Sequence, residues 1–538
     1  MPSFHQPSSR NPNLAQTFAA LALLWIALLL PNRASEINAA NFACLPLEAL
    51  LLASLLQLPD IWGWLVRLAA AGILGLGIIF KLVDLGIDQA FGRPFNPVLD
   101  SRFPADGMQW LTGSLGTPGA WLAVALIASL LIWLILLVGI ALGQLQAILS
   151  SPRIPAKQAL TAMFLFWLGL QLSGNPIAGT PFIDWAAAHW HSARDSFADL
   201  EGFQRSVEHD PYAQTPDQAL LSKLRGKDVL LVFVESYGRT VFDKPDYAAH
   251  ILPLLKKSGA ELQDSGIGVR SAFLTSPTYG GISWLAHGTL LSGLWIDSQS
   301  RYDRLVMSQR PTLNRLFQRA GWRTIAVQPA HTLPWPQGQY FGYDKIYAAQ
   351  DLAYRGNAFN WITMPDQYTL SAIQRLERPA GPRPPVMAEI ALISSHAPWT
   401  PLPRWVDWQQ VGDGSIFSQA RDGDAPAAVW QSTERIRQQY RKSIAYVLQT
   451  LVSYAKTYGD DKLVILVLGD HQPASFVTDN SASHDVPVHL IARDPEVIRA
   501  IDSWHWTPGL IPSAQAPVWG MDVLRGKWVE TFSGEPGR

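Results

Sequence analysis

The chain has almost no cysteine. Its single one, Cys44, excludes an intramolecular disulfide framework and any cysteine-rich zinc site. It also lacks an excess of either charge. With 42 Lys+Arg against 43 Asp+Glu and a formal charge of −1, it is not built to bind nucleic acid by neutralising phosphates. Charged residues are scarce at 16%, yet a hydrophobic content of 48% excludes a disordered chain. No internal repeat or low-complexity tract is present, and residues 379–385 form the one Pro-rich loop. Tryptophan, by contrast, is abundant, with 22 copies. At 538 residues the chain is long enough for two or three domains.

The few charges are unevenly spread. Residues 1–175 hold 15 of them and residues 176–538 hold 70, so their density doubles at the boundary. The first third therefore reads as membrane protein and the rest as water-soluble protein. Five apolar segments are expected to span: Leu14–Pro31, Phe42–Leu58, Ile61–Phe80 with Arg67 inside it, Trp121–Leu142, and Ala156–Leu172. Each is near the ~20 residues a bilayer requires. The first could be a signal-peptide core, but the apolar segments that follow favour a membrane helix. Arg10, Arg153 and Lys157 fall on one side of five spans, which makes that side cytoplasmic and places everything after Leu172 outside the cytoplasm. Residues 174–225, with Trp185, Trp190, Phe197 and Phe203 among charges, read either as a helical piece near the membrane surface or as a linker packed on the next domain. The expected organisation is thus a transmembrane domain over 1–173, a juxtamembrane connector over 174–225 and a catalytic domain over 226–538.

From residue 228 short apolar runs alternate with longer amphipathic stretches. Strands are expected at Asp228–Val234, Thr324–Gln328, Ala388–Ser394, Leu463–Leu468 and Val486–Ala492. Helices are expected at Ser283–Leu291, Thr312–Ala320 and Ile436–Tyr458. This alternation predicts an α/β domain with a mostly parallel central sheet. Chemistry in such sheets gathers at the carboxyl ends of the strands. Four of those ends carry a carboxylate or an imidazole: Glu235-Ser236-Tyr237-Gly238, Pro329-Ala330-His331, Ser395-His396, and Gly469-Asp470-His471. Singly, each has a plain explanation as a surface or capping residue. Together they match the oxygen-plus-imidazole ligand set of Zn²⁺ or Mn²⁺. Ser283 follows the chain break at Gly280-Gly281 and begins a helix, where free N–H groups and the dipole favour an anionic oxygen and a phosphate. Taken alone, it would be an ordinary N-cap.

On these residues, region 228–500 resembles the alkaline phosphatase/sulfatase superfamily. Within it the chain resembles membrane-anchored phosphoglycerol and phosphoethanolamine transferases of the lipoteichoic acid synthase, osmoregulated-glucan and lipid A types. The likeness is strongest at Val232–Gly238 and Leu466–Pro473. It implies a metal held by Glu235, the nucleophile oxygen of Ser283, Asp470 and His471. The family nucleophile is usually Thr. Ser283 is preferred because a Leu-Leu-Ser-Gly stretch ends at Gly293, ten residues later, while Thr275, Ser276 and Thr278 remain rivals. The resemblance further implies substrate contacts at His396, at His484, and at His331 with Trp335 nearby, followed by Tyr340-Phe341-Gly342-Tyr343-Asp344. The Arg usually found after that Trp is missing.

The chemistry implied is attack by Ser283 on a phosphodiester, assisted by one divalent ion, through a phosphoserine that an acceptor hydroxyl then resolves. His396 would protonate the leaving alcohol or position the acceptor. Three readings compete. The first is a phospholipid head-group transferase, bringing phosphoglycerol or phosphoethanolamine to an envelope glycan or lipid acceptor, in a bacterial inner membrane with its catalytic domain periplasmic. The second is an extracytoplasmic sulfate or phosphate ester hydrolase. Sulfatases carry a Cys or Ser converted to formylglycine in a Cys/Ser-x-Pro/Ala-x-Arg context, whereas Ser283 is followed by Trp284-Leu285-Ala286-His287. The third is a non-catalytic membrane sensor or scaffold.

Overall fold

The computed structural model describes residues 14–33, 36–91, 93–100, 103–151, 155–333, 335–479, 481 and 483–534. Arg10 and Arg153, two of the three residues behind the expected orientation, lie outside them. The chain divides into two compact units, one running to Ala198 and the other beginning at Asp199, with Ala90–Gly92 grouped with the second.

The first unit is helical: α1 Leu14–Leu29, α2 Leu47–Leu55, α3 Asp60–Phe91, α4 Phe103–Leu149, α5 Ala156–Leu172 and the start of α6 Pro181–Glu208. Among the described residues two helices, over Asp60–Ala90 and Phe103–Leu149, are long and apolar enough to cross a membrane. The expected third and fourth spans lie within them. The second expected span, Phe42–Leu58, is not one helix. It breaks into a turn at Ala39–Phe42, a two-residue strand Leu45–Pro46 paired with Ala178–Gly179, and α2. Nine residues of α2 cover about 14 Å, half of the ~30 Å hydrocarbon layer. Pro46 and Glu48 explain the break. Glu48 is buried, and its Oε1 accepts the backbone N–H groups of Phe182 and Ile183, capping the start of α6. α4 is interrupted by Gly116 at φ 70°, two residues before Pro118, so its apolar part is a separate helical segment beyond the kink.

Among the described residues the central sheet of the second unit has nine strands: β1 Asp228–Val234, β2 Gly268–Thr275, β3 Arg323–Gln328, β4 Lys345–Ala348, β5 Val386–Leu392, β6 Leu463–Gly469, β7 Asp485–Ala492, β8 Thr507–Pro508 and β9 Val518–Gly520. Five run parallel in the order β6-β1-β5-β3-β4. Beyond β6 the sheet continues antiparallel through β7, β2 and β8, with β9 joining β2 in parallel. The structure thus has the expected mostly parallel α/β sheet with a mixed edge. β1 and β6 are buried at every position. Their unbroken apolar runs follow from helices covering both faces. Along β1, Leu230, Val232 and Val234 enter one core while Val229, Leu231 and Phe233 enter the other. The first core includes α7 Pro245–Asp264, and the second includes α8 Ser283–Ser292. Strand β2, unexpected from sequence, is GVRSAFLT; a Gly and an Arg among its first residues hide a strand that pairs fully with β7.

Candidate active site

The sheet register brings two of the sequence-selected residues together. Gly469 pairs with Val234 in the parallel β6–β1 ladder, so Asp470 and Glu235 emerge side by side at the same end. Close approach there requires glycine twice. A Cβ on Gly469 would lie 1.9 Å from the Tyr237 carbonyl oxygen, and one on Gly238 would lie 1.9 Å from Gln472 Oε1. Backbone strain sits beside both functional segments, with Ser236 at φ 58° after Glu235 and Ile282 at φ 62° before Ser283. A β-branched residue in the left-handed region is held only where its surroundings over-determine it.

Glu235, Asp470 and His471 each offer a ligand atom within 4.8 Å of the others. Ser283 Oγ lies 3.2 Å from Glu235 Oε2 and 3.2 Å from His471 Nε2. His471 Nε2 lies 3.4 Å from Glu235 Oε1 and 3.6 Å from Asp470 Oδ2. Donors around a tetrahedral zinc ion at ~2.0–2.1 Å stand about 3.3–3.4 Å apart, and the separations of these four residues are of that size. His471 Nδ1 is 2.7 Å from the Gln472 carbonyl oxygen. That contact places the proton on Nδ1 and turns the Nε2 lone pair toward the cluster. Asp470 Oδ1 accepts from the backbone N–H groups of Ser236 and His471 at 2.8 and 2.7 Å, which leaves Oδ2 for the cluster.

The charges are strongly coupled. Burial disfavours ionisation of Glu235, but the charges of His471 and then His396 outweigh it and hold the carboxyl far below its usual range. Burial, then the Glu235 charge, pushes Asp470 up to about 6. Burial opposes protonation of His471, yet Asp470 and Glu235 together push it up to about 9. The metal-free cluster therefore holds a proton that a cation must displace. Cation affinity is expected to rise about tenfold per pH unit between about pH 6 and 8 as one proton is released. Calorimetric Zn²⁺ titrations in buffers of different ionisation enthalpy check this, and a pH-independent affinity would refute it.

Ser283 is the first residue of α8; Ile282 occupies the capping position, and no side-chain cap bond is made. The Ser283 hydroxyl faces Glu235 and His471 instead. The rival hydroxyls are engaged elsewhere or turned away. Thr275 Oγ1 donates to Asp485 and Ser276 Oγ to the Asp470 carbonyl, and Thr278 Oγ1 is buried with no partner. His396 is exposed and shares a cavity of about 250 Å³ with Glu235 and Ser283, walled by Trp284, Trp399 and Trp430. Asp366 Oδ1 accepts the N–H groups of Ile393 and Ser394, fixing the turn that presents His396. His331 and Trp335, their rings 5.2 Å apart, line a different cavity of about 450 Å³. His484 packs its ring against Tyr279 and does not line the cavity around Ser283.

One constellation escaped the sequence analysis. His287, one helical turn after Ser283, stacks on Phe233 with centroids 3.8 Å apart and places Nδ1 2.5 Å from Glu389 Oε1. Tyr343 donates to the other Glu389 oxygen. The His287 charge lowers the pKa of both Asp470 and His331, though less than burial and Glu235 act on the first and burial on the second. The signal was present in the sequence, because Glu389 interrupts the apolar strand VMAEIAL and a buried carboxylate requires a partner.

A sheet of this topology with a carboxylate, a hydroxyl and an Asp-His pair converging at its carboxyl edge defines a class of protein, and the sequence agrees. The Sulfatase family model matches residues 227–505. The chain belongs to the sulfatase family. Nothing among curated protein sequences matches significantly. Among solved structures it is similar to the lipoteichoic acid synthase LtaP from Listeria monocytogenes, at 12% identity over 63% of this chain and 78% of that one, TM-score 0.36. It is also similar to the Streptococcus pyogenes phosphoglycerol transferase GacH in complex with sn-glycerol-1-phosphate, at 14% identity over 62% and 81%, TM-score 0.38. A third is the C-terminal periplasmic domain of EcEptC from Escherichia coli in complex with Zn, at 13% identity over 57% and 83%, TM-score 0.38. With scores this low, the family assignment rests on the sequence match.

Proposed function

We propose that the protein transfers a phosphoglycerol or phosphoethanolamine head group from a phospholipid to a glycan or lipid acceptor of the cell envelope, through a phosphoserine at Ser283. The observation that carries this reading is the Ser283 hydroxyl, 3.2 Å from both Glu235 and His471 and turned away from the capping role. Glu235, Asp470, His471 and Ser283 would hold one Zn²⁺ or Mn²⁺. Such an ion, when bound, lowers the pKa of a hydroxyl and offsets charge on phosphoryl oxygens.

The chain's own residues account for the rest. Ser283 Oγ, its hydroxyl proton given up to solvent, forms a bond to phosphorus as the bond from phosphorus to the diacylglycerol oxygen breaks. That oxygen takes a proton from His396, which lines the same cavity. An acceptor hydroxyl then gives its proton to the neutral His396 and attacks phosphorus, and Ser283 Oγ leaves and regains a proton from solvent. The first turn of α8 offers its N–H groups and dipole to the phosphate. His331, Trp335 and His484 are retained as contacts for the outer parts of donor and acceptor. A cavity of about 250 Å³ falls below the ~300–1,000 Å³ of drug-sized sites, which suits a head group rather than a whole lipid. Two membrane-competent helices support a donor drawn from the bilayer, and the charges of Arg10, Arg153 and Lys157 are what favour a catalytic unit outside the cytoplasm of a bacterial inner membrane.

The test is incubation of the purified full chain with fluorescent phosphatidylglycerol or phosphatidylethanolamine plus Zn²⁺ or Mn²⁺. Diacylglycerol release and a head-group phosphate adduct on the Ser283 peptide are expected. Hydrolysis of aryl sulfates without lipid turnover would establish the hydrolase reading instead.

A further inference from the structure

Glu389, 1% exposed in the middle of β5, is a carboxylate that the proposed chemistry leaves unused. Buried charge is retained where it is paired and hydrogen-bonded. Among the described residues its two oxygens meet two donors, His287 Nδ1 at 2.5 Å and the Tyr343 hydroxyl. Of the two, only His287 can carry a positive charge. The other ring nitrogen, Nε2, lies on the edge away from Glu389. It has no hydrogen-bond partner among the described residues, and the side chain keeps 12% of its surface open.

The place of that nitrogen follows from α8 and β1. Residues four apart on a helix share a face, with Cβ atoms about 5–6 Å apart, and their side chains lean toward the helix N-terminus. His287 therefore leans over the turn that begins with Ser283. Its ring lies flat on Phe233, with centroids 3.8 Å apart and planes at 16°. Phe233 and Glu235 are two residues apart in extended chain and face the same side, roughly 6–7 Å from each other. Ser283 Oγ contacts Glu235, so one strand step separates the imidazole from the nucleophile. Asp470 and His331, both governed first by burial, each also feel the His287 charge, which sets the ring near the cluster and near the His331 cavity alike.

We infer that His287 binds the phosphoryl group itself: as an imidazolium it donates Nε2–H to a non-bridging oxygen of the phosphate on Ser283. Glu389 and Tyr343 are positioning residues that hold Nδ1 and so turn Nε2 to that side. This rests on the reading of Ser283 as the residue that takes up phosphate, and holds whether transfer or hydrolysis follows. A non-bridging oxygen is anionic in the diester and in the phosphoserine, so the contact serves both halves of the reaction, whereas His396 gives and takes a proton.

The test is calorimetric titration of the full chain with Zn²⁺, and of the Zn²⁺-loaded chain with inorganic phosphate as the probe. His287→Gln keeps the bulk and a donor but not the charge. It should weaken phosphate about ten- to a hundredfold, the loss of a charge-assisted hydrogen bond. Its Zn²⁺ affinity should stay or rise, because a positive charge leaves the neighbourhood of Asp470. Glu389→Gln should weaken phosphate to a similar extent, and the double variant no more than His287→Gln alone, since Glu389 acts through His287. Tyr343→Phe removes a single hydroxyl and should weaken phosphate about threefold at an unchanged melting temperature, which reads the same contacts should the Glu389 or His287 variants not fold. Unchanged phosphate affinity in His287→Gln overturns the assignment, as does a wild type that binds no phosphate. So does a joint fall in phosphate affinity, Zn²⁺ affinity and melting temperature, which a network that only braces α8 predicts. The expected pattern in a protein that releases no diacylglycerol from lipid would keep the His287 assignment and sink the head-group transfer.

Discussion

Ser283→Ala should leave the protein folded and able to take up a divalent cation, yet reduce lipid turnover by roughly a thousandfold or more. Oγ is one of four donor atoms in the cluster and the only one placed to form a bond to phosphorus. Its loss removes the covalent step and leaves Glu235, Asp470 and His471 in place. The competing account, helix capping, makes a different forecast: about 0.5–2 kcal/mol of lost stability with unchanged catalysis. The structure already weakens that account, because Ile282 occupies the cap position and Ser283 makes no bond to the helix N–H groups. Ser283→Thr should retain activity, since it supplies the same hydroxyl with one further methyl group. Steady-state turnover, thermal melting and mass analysis of a trapped adduct are the measurements. Wild-type turnover by Ser283→Ala, or an adduct on Thr275 or Thr278, would move the nucleophile upstream.

Asp470→Asn should separate metal binding from folding. The substitution keeps the shape of the side chain and an oxygen to accept the Ser236 and His471 N–H groups. It removes one negative charge beside Glu235 and presents an amide to the cation, so affinity should fall by about a thousandfold, in the range of a lost ligand rather than a lost supporting contact. Without metal two effects oppose each other. Burial and the Glu235 charge make ionised Asp470 unfavourable and raise its pKa to about 6, which lowers fold stability as pH climbs from the unfolded value through the folded one. The same Asp470 charge favours protonated His471, raised to about 9, and that stabilisation is lost with it. The metal-free melting temperature should therefore change far less than the cation affinity. Melting curves with chelator and with Zn²⁺ read both effects. A variant that binds Zn²⁺ as well as the wild type does would mean that Asp470 only shapes the turn.

Much of this was legible in the primary structure. The runs DVLLVFV and LVILVLG are so uniformly apolar that they can only be central strands covered on both faces, and the residues at their ends were therefore candidates for chemistry. The long helix expected at Ile436–Tyr458 lies within Thr433–Tyr458, and the helix expected at Ser283–Leu291 within Ser283–Ser292. In each the apolar spacing and the local breakers act within a few residues. The strand Gly268–Thr275 was not legible, because its pairing with Asp485–Ala492 is made across more than two hundred residues and leaves no alternation in its own segment. The expected span Phe42–Leu58 failed for a related reason: hydropathy registers Glu48 as an interruption and not as the cap of a helix that begins at Pro181.

The sequence by itself determined the central strands, the longer helices, the family and the residue types able to hold a cation, since these depend on local pattern and side-chain chemistry. Only the tertiary structure decided which hydroxyl faces the cluster, that His396 shares its cavity while His331 and Trp335 line another and His484 turns to Tyr279, and that His287, Glu389 and Tyr343 form one buried network. Those outcomes depend on strand register and on left-handed turns at Ser236 and Ile282, which aim side chains by angles that no linear spacing encodes.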